Sequence, residues 1–187
     1  MPACEALRDR LAERGGEVPA GGLEGAHDTA ADIDAQARLA RHAFGAQFAE
    51  VRVDADSGEV RVPRLYGVFA AGRIINAKTA RSQFIGGMTM GMSMALFEES
   101  VLDEGFGDYL NHDLAQYHIP SCADVADIDA RWIDEDDPHL NPVGAKGVGE
   151  IGIVGTAAAI AGAVHHDTGI RVRDLPIRLD RLVGVRS

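Results

Sequence analysis

The 187 residues carry 18 Lys and Arg against 29 Asp and Glu, a formal charge of −11, with 46% hydrophobic and 25% charged residues. That balance fits one ordinary globular unit. With no basic run, it argues against binding to nucleic acid or to an anionic membrane, which needs clustered Lys and Arg. Cys4 and Cys122 match no metal spacing and fall short of a secreted disulfide framework. The N-terminus is charged at once and lacks an apolar signal core, and no apolar run reaches the ~20 residues of a membrane span. These features point to free thiols in a reducing cytoplasm.

Residues 3–14 predict an amphipathic helix with Leu7 and Leu11 on one face, stopped by Gly15-Gly16. Residues 15–35 are acidic, Gly/Ala-rich and without period, and predict a flexible loop. In "FGAQFAEVRVDADSGEVRVPRLYGVFAAG", residues 44–72, alternating apolar positions flank the turn Asp54–Gly58. This is a hairpin, with Pro63 marking an edge position or a bulge.

Residues 77–100 predict one long helix. Glycines at 86, 87 and 91 each cost about 1 kcal/mol of helix propensity against alanine, so something packs close to its backbone. Tight helix–sheet packing and a cofactor beside the helix both satisfy that. Met88, Met90, Met92 and Met94 are expected to fill gaps in the core. Downstream lie a strand or loop near Tyr117, a strand near 128–133 and an acidic loop over 134–137. A final helix is stopped by Gly169, and a short turn starts at Asp180. A hairpin, helices and no βαβ repeat argue for α+β. The organisation is an N-terminal helix and loop over 1–41 and a main domain over 42–187.

The segment "GAKGVGEIGIVGTAAAIAGAV", 144–164, places Glu150 inside five glycines that fall within twelve positions. Residues 147–152 spell G-x-G-x-x-G, but the preceding "DEDDPHLNPVGAK" is acidic, holds two prolines and is no buried strand. The dinucleotide fingerprint needs that strand. Glycine backbone admits a bulky ligand closely, and N–H groups at a helix start favour an anion. A partly buried glutamate there suits general-base work. It also suits a plain helix-start carboxylate, worth about 0.3–1 kcal/mol.

This segment, with "TGIRVRDLPIRLD", "LAQYHIP" and the stretch from "FGAQFAEV" to "GGMTMGMSMALFEE", resembles the C-terminal end of the molybdenum-binding large subunit of the xanthine dehydrogenase and aldehyde oxidase family. The resemblance covers residues 42–183, with several motifs in the same order. It implies a molybdopterin-type cofactor and hydroxylation of an aldehyde or N-heterocycle with water-derived oxygen. Glu150 matches the family's general base, and Gln83 matches a pterin contact at the head of the Gly-rich helix. Lys146, Gly147 and Gly149 match the same active-site loop. Iron–sulfur and FAD subunits or domains are implied as partners.

Asn76-Ala77 stands where the family usually has Asn-Pro. The family's subunit is also several times longer. The expectation is therefore a truncated or split piece that the upstream part of the subunit, on another chain, completes. The alternative is a non-catalytic remnant without cofactor. Deprived of its covering partner, the chain is expected to form a homodimer or larger species.

Overall fold

The computed structural model describes residues 2–183. Contacts group the residues through Arg41 with Asp137–Gly144 in one unit, and His42–Asp136 with the residues from Ala145 onward in a larger one. In the smaller unit, α1 spans Pro2–Glu13. Gly15 and Gly16 end it at positive φ, and the Gly16 N–H donates to the Leu11 carbonyl. The expected loop contains a second helix, α2 (Ala30–Ala35), which follows Thr29. Six residues are too few for a periodic signal to stand out in a polar stretch.

The larger unit starts with the hairpin of β1 (Phe44–Val53) and β2 (Val60–Ala70). Its turn is organised by Asp54, whose Oδ1 accepts from the N–H groups of Asp56 and Ser57 and from the Ser57 hydroxyl. The Ser57 N–H first, then its hydroxyl, hold the Asp54 carboxyl below the usual carboxylate range. Pairing runs from Phe44↔Ala70 to Glu50↔Arg64 and resumes at Arg52↔Arg61, so Val51 opposes both Val62 and Pro63. This is the bulge that Pro63 signalled. The extra residue keeps Val62 and Leu65, three apart, on one buried face.

β5 (Asp127–Trp132) lies parallel to β2, from Arg64↔Asp127 to Phe69↔Trp132. The order is β1-β2-β5, with β2 central. The ladder to β5 starts one residue after Pro63, whose missing N–H is thus outside it. The parallel pair is the one crossover that the sequence reading did not anticipate. β3 (Leu102–Asp103) and β4 (Asp108–Tyr109) form a two-stranded hairpin. Tyr117 lies in a turn, not a strand.

α3 (Ala77–Leu96) packs on β5 and β2. Asn76 caps it, its side chain accepting from the N–H groups of Lys78 and Thr79, so Ala77 serves at the first helical position where the family's proline would sit. Phe84, Met88 and Met92, four apart, are buried with Ala95. The Phe84 ring stacks on Phe69 with centroids 4.4 Å apart. Met90 and Met94 face outward, at 61% and 38% exposure, which corrects their assignment to the core. Four methionines two apart cannot share one helical face.

α4 (Ile151–Val154) and α5 (Thr156–Thr168) are separated by Gly155, and Gly169 ends α5 at φ 73°. The α3 glycines answer to them. A Cβ on residue 87 would lie 2.9 Å from the Gly152 Cα, and one on residue 91 would lie 2.5 Å from the Thr156 Cβ. Close packing of helix on helix, rather than the expected packing of helix on sheet, thus accounts for Gly87 and Gly91. No helix among the described residues is long and apolar enough to cross a membrane.

A Cβ at residue 86 meets nothing within 4 Å. Gly91→Ala is therefore expected to lower stability by about 1–3 kcal/mol through overpacking, whereas Gly86→Ala should raise it by about 0.5–1 kcal/mol. Urea denaturation of the two variants checks this, and equal effects would contradict the packing account.

Candidate functional site

The glycine segment enters without a strand, which removes the dinucleotide reading. Two contacts fix its start instead. Ala145 bridges to Gly72, and the Lys146 N–H donates to the Ala71 carbonyl at 3.1 Å. The Lys146 ammonium, its side chain only 6% exposed, lies 2.6 Å from Glu135 Oε1. Glu135 Oε2 accepts from the Gly72 N–H at 2.9 Å. The charged end of Lys146 is thus turned to Glu135, which ties the loop to the end of the sheet. Glu135 stands in the acidic stretch, where nothing in the sequence separates it from Asp134, Asp136 and Asp137.

Past Lys146 the loop opens. Positions 147 and 149 have nothing within 4 Å of a Cβ. Among the described residues, no acceptor meets the N–H groups of Gly147, Val148 and Gly149. Glu150 follows as the N-cap residue of α4, with helical backbone angles and no side-chain capping bond. It is exposed, not partly buried as its setting in the sequence suggested. Gln83 is exposed on α3. It directly precedes Phe84, whose carbonyl oxygen lies 2.7 Å from where a residue-152 Cβ would be. The α3–α4 crossing therefore brings the helical turn of Gln83 to the turn that begins at Glu150.

Two neighbours of this crossing carry polar side chains. Arg81 donates to Asp129 Oδ1 at 2.8 Å, linking α3 to β5. That bond is the main cause holding the Asp129 carboxyl below its ordinary range. Gln47 reaches from β1 to α4, its amide donating to the carbonyls of Ile151 and Gly152. A separate cleft of about 420 Å³ is bordered by Gly72, Ile74, Trp132 and Glu135, and by neither Gln83 nor Glu150. Among the described residues, no group of three His, Cys, Asp or Glu side chains converges as a metal site.

Residues 23–126 match the family model of the molybdopterin cofactor-binding domain. The chain belongs to that family. Its similarity to the aldehyde oxidoreductase molybdenum-binding subunit of Escherichia coli is 54% identity over 140 residues, 75% of this chain and 19% of that protein. To the putative xanthine dehydrogenase molybdenum-binding subunit of the same organism it is 35% identical, over 75% of this chain and 18% of the other. The crystal structure of the aldehyde oxidoreductase from Desulfovibrio desulfuricans superposes with a TM-score of 0.71 at 25% identity, covering 100% of this chain and 22% of that one. The chain thus spans about a fifth of the length of the curated relatives it matches. The α+β class expected from the sequence is the one observed.

The residues present fit the cofactor that a molybdopterin-binding domain implies. The loop 147–149 offers backbone donors with no Cβ at its two glycines, and the exposed Gln83 amide stands by the same crossing. Open glycine backbone beside a helix start suits a bulky anionic group.

Removing one partner of a buried ion pair leaves the other charge uncompensated, which costs about 3–5 kcal/mol in full burial. Glu135 is 24% exposed, so Lys146→Met is expected to cost about 1–3 kcal/mol. Lys146→Met with Glu135→Gln should cost less than the sum of the single changes. A double-mutant cycle by urea denaturation measures that coupling, and strict additivity would show that the pair does not hold the loop.

Proposed function

We propose that this molybdopterin-binding domain supplies the general base and one wall of the cofactor cradle of a molybdenum hydroxylase, completed by the upstream part of the large subunit on another chain. The observation that carries the reading is the α3–α4 crossing, where a missing Cβ at 87 and 152 lets the turns of Gln83 and Glu150 meet beside an open glycine loop. When bound, the molybdopterin cofactor supplies the two-electron redox chemistry that adds water-derived oxygen to an aldehyde or N-heterocycle. Gln83 and the N–H groups of Gly147 and Gly149 hold and orient it.

Glu150 is the general base. Its carboxylate oxygens take the proton that the attacking hydroxyl must lose. At the start of α4 its side chain makes no capping bond and stays available. In this chain it stands in solvent. The completing segments exclude that water, which strengthens every polar interaction at the site. Iron–sulfur and FAD subunits take the electrons onward. Free, exposed Cys4 and Cys122 suit a reducing cytoplasm.

Glu150→Gln keeps size but cannot accept the proton. In the completed enzyme its turnover is expected to fall about 10²–10⁴-fold with molybdenum content unchanged, while the chain's own stability moves by less than about 1 kcal/mol. Steady-state kinetics, elemental analysis and melting read the three arms. Turnover indifferent to the change would overturn the base assignment. A non-catalytic remnant would give no turnover with any partner.

Alone, the chain leaves Phe44 and Phe48 on the outward face of β1 at 60% and 61% exposure. Large apolar side chains exposed side by side on one strand face favour cover by another surface. The isolated chain is expected to self-associate and to carry no molybdenum. A clean monomer in light scattering, or near-stoichiometric metal, would contradict this.

A further inference from the structure

We propose that Gln47 is a positioning residue for Glu150, acting through the backbone of α4. The inference rests on Glu150 being the base, and it begins from a side chain that looks out of place. The half-buried residues of β1 are Gln47, Ala49, Val51 and Val53, all apolar but one. An apolar side chain of the same length would fill that position. Gln47 instead enters the helical turn that follows Glu150.

Its Nε2 donates to the Ile151 carbonyl at 3.2 Å and to the Gly152 carbonyl at 3.0 Å. Its Oε1 faces the hydroxyl of Thr156, a fully buried residue whose single hydroxyl hydrogen is shared between Gln47 and the Gly152 carbonyl at 2.9 Å. The Ile151 carbonyl needs a partner because the helix is broken there. In a continuous helix the N–H of residue 155 would go to the carbonyl of 151. Here the Gly155 N–H is directed to Ile153. Gly155 also makes the room, since a Cβ on it would lie 3.2 Å from the Gln47 Cδ. One amide thus binds both sides of the break, at α4 through two carbonyls and at α5 through Thr156.

The consequence falls on Glu150. A four-residue helix cannot hold its own start. Gly152 rests on α3 without a side chain of its own, so contact alone sets a distance but no orientation. The hydrogen bonds of Gln47 to residues 151 and 152 fix the direction in which the turn presents residue 150. The side chain stays clear of the cofactor loop and touches no reacting atom.

The test uses Gln47→Met, which keeps length and removes both polar ends, and Gln47→Glu, which keeps an acceptor for Thr156 and loses the donors. In the 187-residue chain, hydrogen exchange is read by mass spectrometry. Peptides covering 151–156 are expected to exchange about tenfold faster in both variants, with 84–92 and 60–70 unchanged. In the completed enzyme, with an aromatic aldehyde as probe, kcat should fall about 10²-fold through misplacement of the base, with KM nearly constant.

Unchanged exchange at 151–156 overturns the proposal. So does faster exchange spread evenly over α3 and β2, which would make Gln47 a core residue only. Glu150→Gln is run in the same series. If it keeps full turnover, the base assignment fails, while the exchange at 151–156 still decides whether Gln47 holds the turn.

Discussion

The approach of two helix backbones, α3 on α4 and α5, is the constraint on which the rest depends. Gly87, Gly91 and Gly152 remove the side chains that would keep the helices apart. Ordinary helix pairs sit ~8–10 Å axis to axis because side chains interdigitate between them. Here backbone meets backbone at Gly87 and Gly152, and the Thr156 side chain rests directly on the α3 backbone at Gly91. A distance set that way is stiff. Phe84, one residue from Gln83, is clamped from the other side by stacking on Phe69, so both elements that carry candidate site residues lean on the same rigid contact.

Around that contact, polar groups do what packing cannot. Lys146 and Glu135 tie the entering loop to the end of β2, and Gln47 spans the helix break. Arg81 joins α3 to β5 through Asp129. The apolar core supplies most of the stability, as hydrophobic burial does generally, but it is non-directional. Orientation at the glycine loop comes from these few bonds, and this division explains why charged and amide side chains lie half-buried beside a helix of methionine and phenylalanine.

Much of the fold was legible because its signals are local. The hairpin announced itself by alternation around Asp54–Gly58, the bulge by Pro63, and the end of α5 by Gly169. The parallel pairing of β5 with β2 was not legible, since no short pattern distinguishes a parallel partner from an antiparallel one. The strands β3 and β4 have two residues each and carry no period. At the site, Glu150 and the loop 147–149 stood out by composition, while Gln83 came from family resemblance. Gln47 left a trace, a polar residue among inward positions, but its partners lie 104 and 105 positions away. Glu135 left none, being one acid among several.

The separation between Gln47 and α4 bears on how the protein is made. As the chain emerges from the ribosome, the hairpin, α3 and β5 are all present before Ile151 has been added. Through that interval the side of β1 holding Ala49, Val51 and Val53 has no helix to cover it, because α5, which packs there, is still unsynthesised. An uncovered apolar strand at the edge of a young sheet is what chaperones recognise and what nucleates aggregates. Long-range closure thus leaves the nascent chain with an adhesive edge, and it is the arrival of the glycine segment that removes it.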